Sequence, residues 1–189
     1  MSADFTAQRT IMVDSQVRTQ DVTDLAIQDA MRATPRERLV PAAKSFLAYA
    51  DIEVEYAPGR WLLRPRDVAK LLQGLGPRAS ERALAIASPY AALVLEHMGV
   101  EVARLDGPDL TPPGGSWSLI VCEGAVAKAP DAWIAALAPG GRLGVIERDG
   151  PVGRAMLYLR TDGTVGVRSL FDCTPPVMAG FEARRAFAL

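Results

Sequence analysis

The sequence predicts an α/β fold: a mostly parallel sheet with antiparallel C-terminal strands, preceded by an N-terminal helical extension. From about residue 81, short apolar runs alternate with helical segments, which is typical of a parallel sheet covered by helices. The last extended runs have no helix between them and include a hairpin signal, Asp162-Gly163. The first 75 residues instead show helical spacing. A chain of 189 residues fits a single domain, with helices and a loop in residues 1–76 and the sheet in residues 77–189.

The composition excludes several classes of protein. Lys and Arg number 21 against 22 for Asp and Glu, and the net charge of -1 is unlike that of a strongly basic nucleic-acid binder. One His and two Cys are too few for a zinc site built on these residues, so we expect no metal. No run reaches the roughly 18 consecutive apolar residues of a membrane span, and the first residues lack the apolar stretch of a secretory signal. We therefore expect a cytoplasmic protein that binds neither membrane nor nucleic acid.

The N-terminal part is predicted to be helical. The predicted helices cover residues 5–17, 25–33, 35–47 and 65–74. Asp24 is placed to cap the second helix, and Pro65 suits the first turn of the last one. Pro58-Gly59 signals a turn in the loop between them. Helices this short bury little surface alone, so they should pack on the sheet.

The second part alternates strands and helices. Parallel strands are predicted over residues 83–87, 100–105, 116–122 and 142–146, with helices over 89–98 and 131–137. Extended segments follow over residues 155–160, 165–171 and 182–188. A parallel sheet followed by a hairpin is the arrangement of class I methyltransferases, as distinct from dinucleotide dehydrogenases, and this comparison is an analogy of fold. The Rossmann-like sheet should be shortened, because only eighteen residues separate Met98 from Trp117 and a crossover between parallel strands needs about a dozen.

Four segments carry a resemblance to a known family. They are MVDSQVR with DVTD (12–18 and 21–24), AMRATPRERLVP (30–41), LAYAD (47–51) and LAPGGRL (137–143). Together they resemble the protein-L-isoaspartate O-methyltransferases, which use S-adenosylmethionine to methylate damaged aspartyl residues. The resemblance covers roughly residues 8 to 182. It implies S-adenosylmethionine as cofactor and an isoaspartyl protein or peptide as partner, and an oligomer is compatible with it.

The loops that hold cofactor and substrate in that family depart from its pattern here. Family members follow the first strand with a glycine-rich loop, in which the backbone approaches the cofactor. The matching positions are Ala87, Ser88 and Tyr90, with Pro89 between them and no glycine. The family's catalytic loop has a hydroxyl residue two positions before a proline, where this chain has Leu63 before Pro65. Leucine cannot hydrogen-bond a substrate carboxylate, so we predict no catalytic residue.

Two acids remain candidates for cofactor contact. Asp106 follows a predicted strand and either binds the cofactor ribose or is a turn residue before Gly107-Pro108. Glu123 follows the next strand, at the carboxyl edge where such sheets bind ligands, and either faces a ligand or is a solvated loop acid. The arginines at 60, 64 and 66 either grip an anionic partner or are surface charge. Trp61 lies among these arginines. It is either an exposed contact for a partner or a buried residue that closes the catalytic pocket implied by the family resemblance.

Two functions are compatible with these residues. The first is a pseudoenzyme: a family member that keeps the scaffold, binds cofactor weakly or not at all, and acts as a binding or structural protein. The alternative is an active S-adenosylmethionine-dependent carboxyl methyltransferase. A carboxylate is already ionised at neutral pH, and the reaction mainly needs alignment of the reactants, so few side chains are indispensable. A third possibility, a different small ligand, has no residue that identifies it.

Overall fold

A helical layer precedes the sheet along the chain. The structure is a computed structural model and describes residues 4–183. The N-terminal elements are α1 (Phe5–Met12) continued by a π-helical turn (Val13–Val17) and a 3-10 turn (Arg18–Gln20), α2 (Leu25–Ala33), and the hairpin strands β1 (Val54–Ala57) and β2 (Arg60–Leu62). The side chain of Asp24 accepts the N–H groups of Ala26 and Ile27, which confirms it as the cap of α2.

The predicted third helix over residues 35–47 is wrong. The structure has two 3-10 turns there, Arg36–Leu39 and Ala42–Leu47. Val40 between them is extended, with φ -115° and ψ 156°, because the residue before a proline is pushed away from helical geometry by the ring of Pro41.

The remaining elements form the sheet and its covering helices. They are α3 (Pro65–Leu75), β3 (Arg82–Ile86), α4 (Pro89–His97), β4 (Glu101–Leu105), β5 (Trp117–Val126), α5 (Asp131–Ala135), β6 (Leu137–Glu147), β7 (Gly153–Thr161) and β8 (Thr164–Cys173). The strand order is β4-β3-β5-β6-β7-β8, parallel from β4 to β6 and antiparallel from β6 to β8. This topology confirms the predicted mixture of parallel and antiparallel strands.

Several element lengths differ from the sequence prediction. Helix α5 has five residues instead of the predicted seven, and β5 extends to Val126 beyond its predicted end at Cys122. Residues 106–116 form neither helix nor strand, in agreement with the prediction that only one strand fits between Met98 and Trp117. The extended segment predicted over residues 182–188 falls mostly outside the described residues.

The two faces of the sheet bury separate apolar clusters. The N-terminal helices, α3 and α4 share one cluster with the sheet, in which Leu71 and Leu75 pack against the backbone of Gly144. A side chain at Gly144 would come within 2.8 Å of Leu75, so the close approach of α3 requires glycine there. The opposite face packs around Trp133 and Leu143. Within residues 4–183, no helix is both long enough and apolar enough to cross a membrane.

The first turn of α3 contains a buried acid with a perturbed pKa. Burial raises the pKa of Asp67 to about 6, against the lowering effect of Arg66 and Arg64. The unfolded value lies near 3.9, so the folded protein retains this proton to higher pH than the unfolded chain does. The stabilisation is therefore complete below about pH 4 and is lost as the pH rises through 6.

We expect Asp67→Asn, which is uncharged at every pH, to be more stable than wild type at pH 7 and to lose that advantage at pH 4. The change in the stability difference should be on the order of 2–3 kcal/mol. Urea unfolding of both proteins at pH 4, 5, 6 and 7 measures it. Stability curves that stay parallel over this range would show that Asp67 has an ordinary pKa.

Candidate functional site

Three of the residues predicted to contact a cofactor lie in the connection between β3 and α4. Ala87 and Ser88 form the whole connection, and Tyr90 is in the first turn of α4. Ala87 has φ +47°, in the left-handed region that favours glycine, and its N–H donates to the carbonyl of Leu105 at 2.9 Å. The chain thus keeps a glycine-like backbone at a position where the family pattern has its first glycine.

The hydroxyl of Ser88 is engaged within the fold. It lies 2.8 Å from the carbonyl oxygen of Ile86 and 3.1 Å from that of Val121, and it accepts the N–H of Glu123 at 2.5 Å. Only 1% of Ser88 is exposed. This side chain therefore joins the end of β3 to the middle of β5, and its hydroxyl is fully engaged within the fold in this conformation.

Glu123 lies at the centre of the site, and its interpretation as a solvated loop acid is wrong. The residue is 1% exposed, and its Oε2 accepts the N–H groups of Tyr90 and Ala91, each at 3.0 Å. A bulge causes this placement: between Val121 and Ala125, β5 advances four residues while its neighbour β6 advances two. Such bulges redirect a side chain out of the regular alternation of a strand, and here the carboxylate turns onto α4.

The carboxylate of Glu123 completes the hydrogen bonding of the α4 N-terminus. The N–H groups of a first helical turn have no partner inside the helix and attract anions. Pro89 has no N–H, Tyr90 and Ala91 donate to Glu123, and Ala92 donates to the carbonyl of Ser88 at 2.9 Å. The donors that could face an anionic group of a ligand are thus bound to the protein's own carboxylate.

A buried arginine from the N-terminal part faces the same carboxylate. Arg36 is fully buried, and its Nη1 lies 3.8 Å from Oε1 of Glu123. Its Nε donates to the carbonyl of Ala48 at 2.8 Å, its Nη2 donates to the carbonyl of Leu63, and its guanidinium lies 4.7 Å from the ring centroid of Tyr90. Sequence reasoning did not single out Arg36, although it lies in the TPRER part of the family-like segment.

Burial acts against the charge on both members of this pair. It lowers the pKa of the Arg36 guanidinium and raises the pKa of the Glu123 carboxyl. The attraction between the two groups opposes both shifts, and the N–H groups of Tyr90 and Ala91 also favour the ionised carboxylate. Nη1 and Oε1 have no hydrogen-bond partner among the described residues, so their contact is an ion pair without a direct hydrogen bond.

Asp106 lies beside the β3–α4 connection, because Ile86 pairs with Leu105 and the N–H of Ala87 donates to the carbonyl of Leu105. It follows β4 at the edge of the sheet, separated from β5 by β3, and it is exposed. Partial burial raises the pKa of its carboxyl, while Arg104 and Arg60 lower it. The structure therefore brings Ala87, Ser88, Tyr90 and Glu123 into one buried cluster, with Asp106 exposed beside Ala87.

The hairpin of β1 and β2 covers the carboxyl end of the central strands. The hydroxyl of Tyr56 in β1 donates to the carbonyl of Ala87 at 3.4 Å. Arg60 in β2 lies with Nη1 3.3 Å from the sulfur of Met178, and the N–H of Ala179 donates to the carbonyl of Gly59 at 3.3 Å. Leu63, which the sequence prediction aligns with the family's catalytic hydroxyl residue, is fully buried.

The parallel sheet, its antiparallel end and the β3–α4 loop define a class I methyltransferase scaffold. A search of family models finds no match. A crystal structure of a beta-aspartate methyltransferase from Plasmodium falciparum, in complex with S-adenosyl-L-homocysteine, has a TM-score of 0.72 at 14% identity and covers 90% of this chain and 97% of its own. At that identity the likeness concerns the fold.

The curated relatives identify the family as well as the fold. A protein-L-isoaspartate O-methyltransferase of Methylorubrum extorquens (strain PA1) is 33% identical over 183 residues, covering 82% of this chain and 80% of the relative. One of Methylorubrum populi is 31% identical over 185 residues, covering 83% and 87%. The chain belongs to the protein-L-isoaspartate O-methyltransferase family, as its sequence segments predict.

We expect the Arg36–Glu123 pair to be strongly coupled. Glu123→Gln should lower the free energy of unfolding by about 3 kcal/mol, because it leaves a buried guanidinium without its counter-charge, and Arg36→Met should cost a similar amount. The double variant should lose less than the sum of the two, by on the order of 1–3 kcal/mol. Urea unfolding of the four proteins measures this coupling.

The exposed pair Arg104–Glu96 is the matched control. Its Nη2–Oε1 distance is 2.7 Å, with side chains 36% and 40% exposed. The cycle of Arg104→Met and Glu96→Gln should give a coupling below about 1 kcal/mol. Additive effects at Arg36 and Glu123 would show that the buried pair does not hold the two parts together.

Proposed function

We propose that this chain is a non-catalytic member of the family, which retains the methyltransferase scaffold as a binding or structural protein and does not bind S-adenosylmethionine. The observation that carries the proposal is the bonding of the α4 N-terminus, where Glu123 accepts the N–H groups of Tyr90 and Ala91. A ligand at this position would have to displace a buried carboxylate from two hydrogen bonds and an ion pair.

The residues at the loop do not fit the cofactor in this conformation. Ala87, Ser88, Tyr90 and Glu123 are each at most 2% exposed, and the hydroxyl of Ser88 and Oε2 of Glu123 are bonded within the fold. The methyl group of Ala87 and the ring of Pro89 stand where a glycine-rich backbone would approach a ligand. Leu63 supplies no hydrogen bond to a substrate carboxylate. We derive no catalytic step from this arrangement.

The alternative is an active S-adenosylmethionine-dependent protein-L-isoaspartate methyltransferase. It is favoured by the name of the Methylorubrum extorquens relative and by the match over 82% of this chain. In such an enzyme an ionised carboxylate attacks the methyl group, and the protein mainly aligns the reactants. The alternative requires the loop and Glu123 to rearrange when cofactor binds. Under either function the partner we propose is a protein or peptide.

Calorimetric titration of the purified chain with S-adenosylmethionine, and separately with S-adenosylhomocysteine, distinguishes the two functions. We expect no saturable binding at the α4 site up to millimolar ligand, because its backbone donors are already bonded. The Methylorubrum extorquens relative, titrated in the same way, is the positive control. Circular dichroism shows that the titrated chain is folded.

A Kd in the micromolar range, equivalent to about -8 kcal/mol, would contradict the proposal. The chain would then be assayed for methyl transfer to an isoaspartyl peptide, with Leu63→Ser beside it. Methylation by the wild-type chain would establish the alternative function. The proposal expects no methylation by either protein, since restoring a hydroxyl does not restore a cofactor site.

A further inference from the structure

A cavity at the start of α3 is lined by neither Glu123 nor the β3–α4 connection. It has a volume of about 330 Å³ and lies between the first turns of α3, the end of β8 and the 3-10 turn after α1. The cavity is lined by Gln20, Asp67, Lys70 and Phe171, together with Arg64 and Arg66. This volume is at the lower end of the range for small-molecule sites.

Most charged groups at this cavity are already paired. Arg64 Nε lies 3.0 Å from Glu53 Oε1, and Arg66 Nη1 lies 3.1 Å from Asp51 Oδ2. Asp172, which also lines the cavity, lies 3.5 Å from Arg154 Nε. One prediction from sequence is that the arginines bind an anionic partner. It is not favoured for Arg64 and Arg66, because nearby acids neutralise both.

Asp67 forms the longest of these ion pairs, with Arg66. Its side chain is 7% exposed, and its carboxylate accepts no hydrogen bond from the described residues. The nearest base is Arg66, with Nε at 3.7 Å from Oδ1, beyond hydrogen-bond distance. Most polar groups this well buried are hydrogen-bonded, so a carboxylate that lines a cavity and accepts no hydrogen bond from the described residues has capacity for a donor in the cavity.

Lys70 and Gln20 are also without polar partners among residues 4–183. The ammonium of Lys70 lies 5.0 Å from the ring centroid of Phe171, a cation–π contact, and forms neither an ion pair nor a hydrogen bond there. The amide of Gln20 is likewise free. Asp67 and Lys70 are three residues apart on α3, which places side chains on the same helix face, about 5–6 Å apart at Cβ.

We propose that this cavity binds a small zwitterion of the α-amino acid class, with its ammonium on the carboxylate of Asp67 and its carboxylate on the ammonium of Lys70. The opposite charges are one helical turn apart, which matches the short separation of the two charged groups in an α-amino acid. Phe171 and Val152 provide apolar surface for the ligand's side chain. This site is separate from the α4 loop and does not depend on the proposed function.

Three probes that share an unbranched alkyl chain test whether binding requires both charges. L-norvaline carries both groups, butylamine lacks its carboxylate, and pentanoate lacks its ammonium. Titration of the ¹⁵N-labelled full-length chain, followed by amide chemical shifts, should show saturable millimolar binding of L-norvaline with shifts near Phe171 and Cys173. Butylamine and pentanoate should each bind at least about tenfold more weakly, because each loses one charge-assisted contact.

Variants locate the binding. Asp67→Asn and Lys70→Met should each lower the affinity for L-norvaline by at least about tenfold. The matched control Lys128→Met, at an exposed lysine elsewhere, should leave that affinity unchanged. Asp67→Asn is expected to fold, since it removes a buried charge. No saturable binding of L-norvaline at tens of millimolar, equal binding of either single-charge probe, or wild-type affinity in both variants would overturn the proposal.

S-adenosylmethionine itself carries an α-amino acid group, so the same variant separates the two proposals. Heat from S-adenosylmethionine that disappears in Asp67→Asn would come from this cavity and would support the inference. Heat that persists unchanged in Asp67→Asn would come from elsewhere, and it would overturn the proposed function without touching the zwitterion site.

Discussion

The structure depends on one buried contact, the carboxylate of Glu123 between the N-terminus of α4 and the guanidinium of Arg36. Burying two charges costs more than their attraction returns unless hydrogen bonds satisfy the remaining atoms. Here backbone N–H groups bond Oε2 of Glu123, the carbonyls of Ala48 and Leu63 accept from Arg36, and the remaining atoms, Oε1 and Nη1, face each other. Because Arg36 belongs to the N-terminal layer, the same contact fixes that layer onto the carboxyl end of the sheet.

This contact also explains why the loop can lack glycines. A glycine-rich turn is needed where a ligand approaches the backbone and has to reach the N–H groups of the following helix. When a carboxylate of the chain reaches those groups from β5, no outside group has to approach. A methyl at Ala87 and a ring at Pro89 then cost little, although Ala87 still adopts φ +47°. A loop without glycine is thus compatible with the position of Glu123.

Much of the fold could be predicted from sequence, and the site could be predicted only in part. Short apolar runs predicted the positions of strands β3 to β8 to within about five residues. Asp24 predicted the first residue of α2. The family segments predicted the scaffold. The burial of Glu123 could not be predicted, because it results from a bulge in β5 that no residue pattern marks. Arg36 was missed because a single arginine between two turns resembles surface charge until its partner across the chain is known.

The two polar regions of the molecule differ in how their buried groups are satisfied. At α4, the backbone donors and the carboxylate that meets them all come from this chain. At the first turns of α3, the carboxylate of Asp67 accepts no hydrogen bond from residues 4–183, its ion pair with Arg66 is 3.7 Å long, and it lines a cavity beside the ammonium of Lys70. A fold that leaves a charge in this state carries its desolvation cost in the free protein, and a ligand that supplies the missing donor removes that cost. At α4 the two atoms left without hydrogen bonds, Glu123 Oε1 and Arg36 Nη1, face each other, whereas the carboxylate of Asp67 lines a cavity that a ligand can enter.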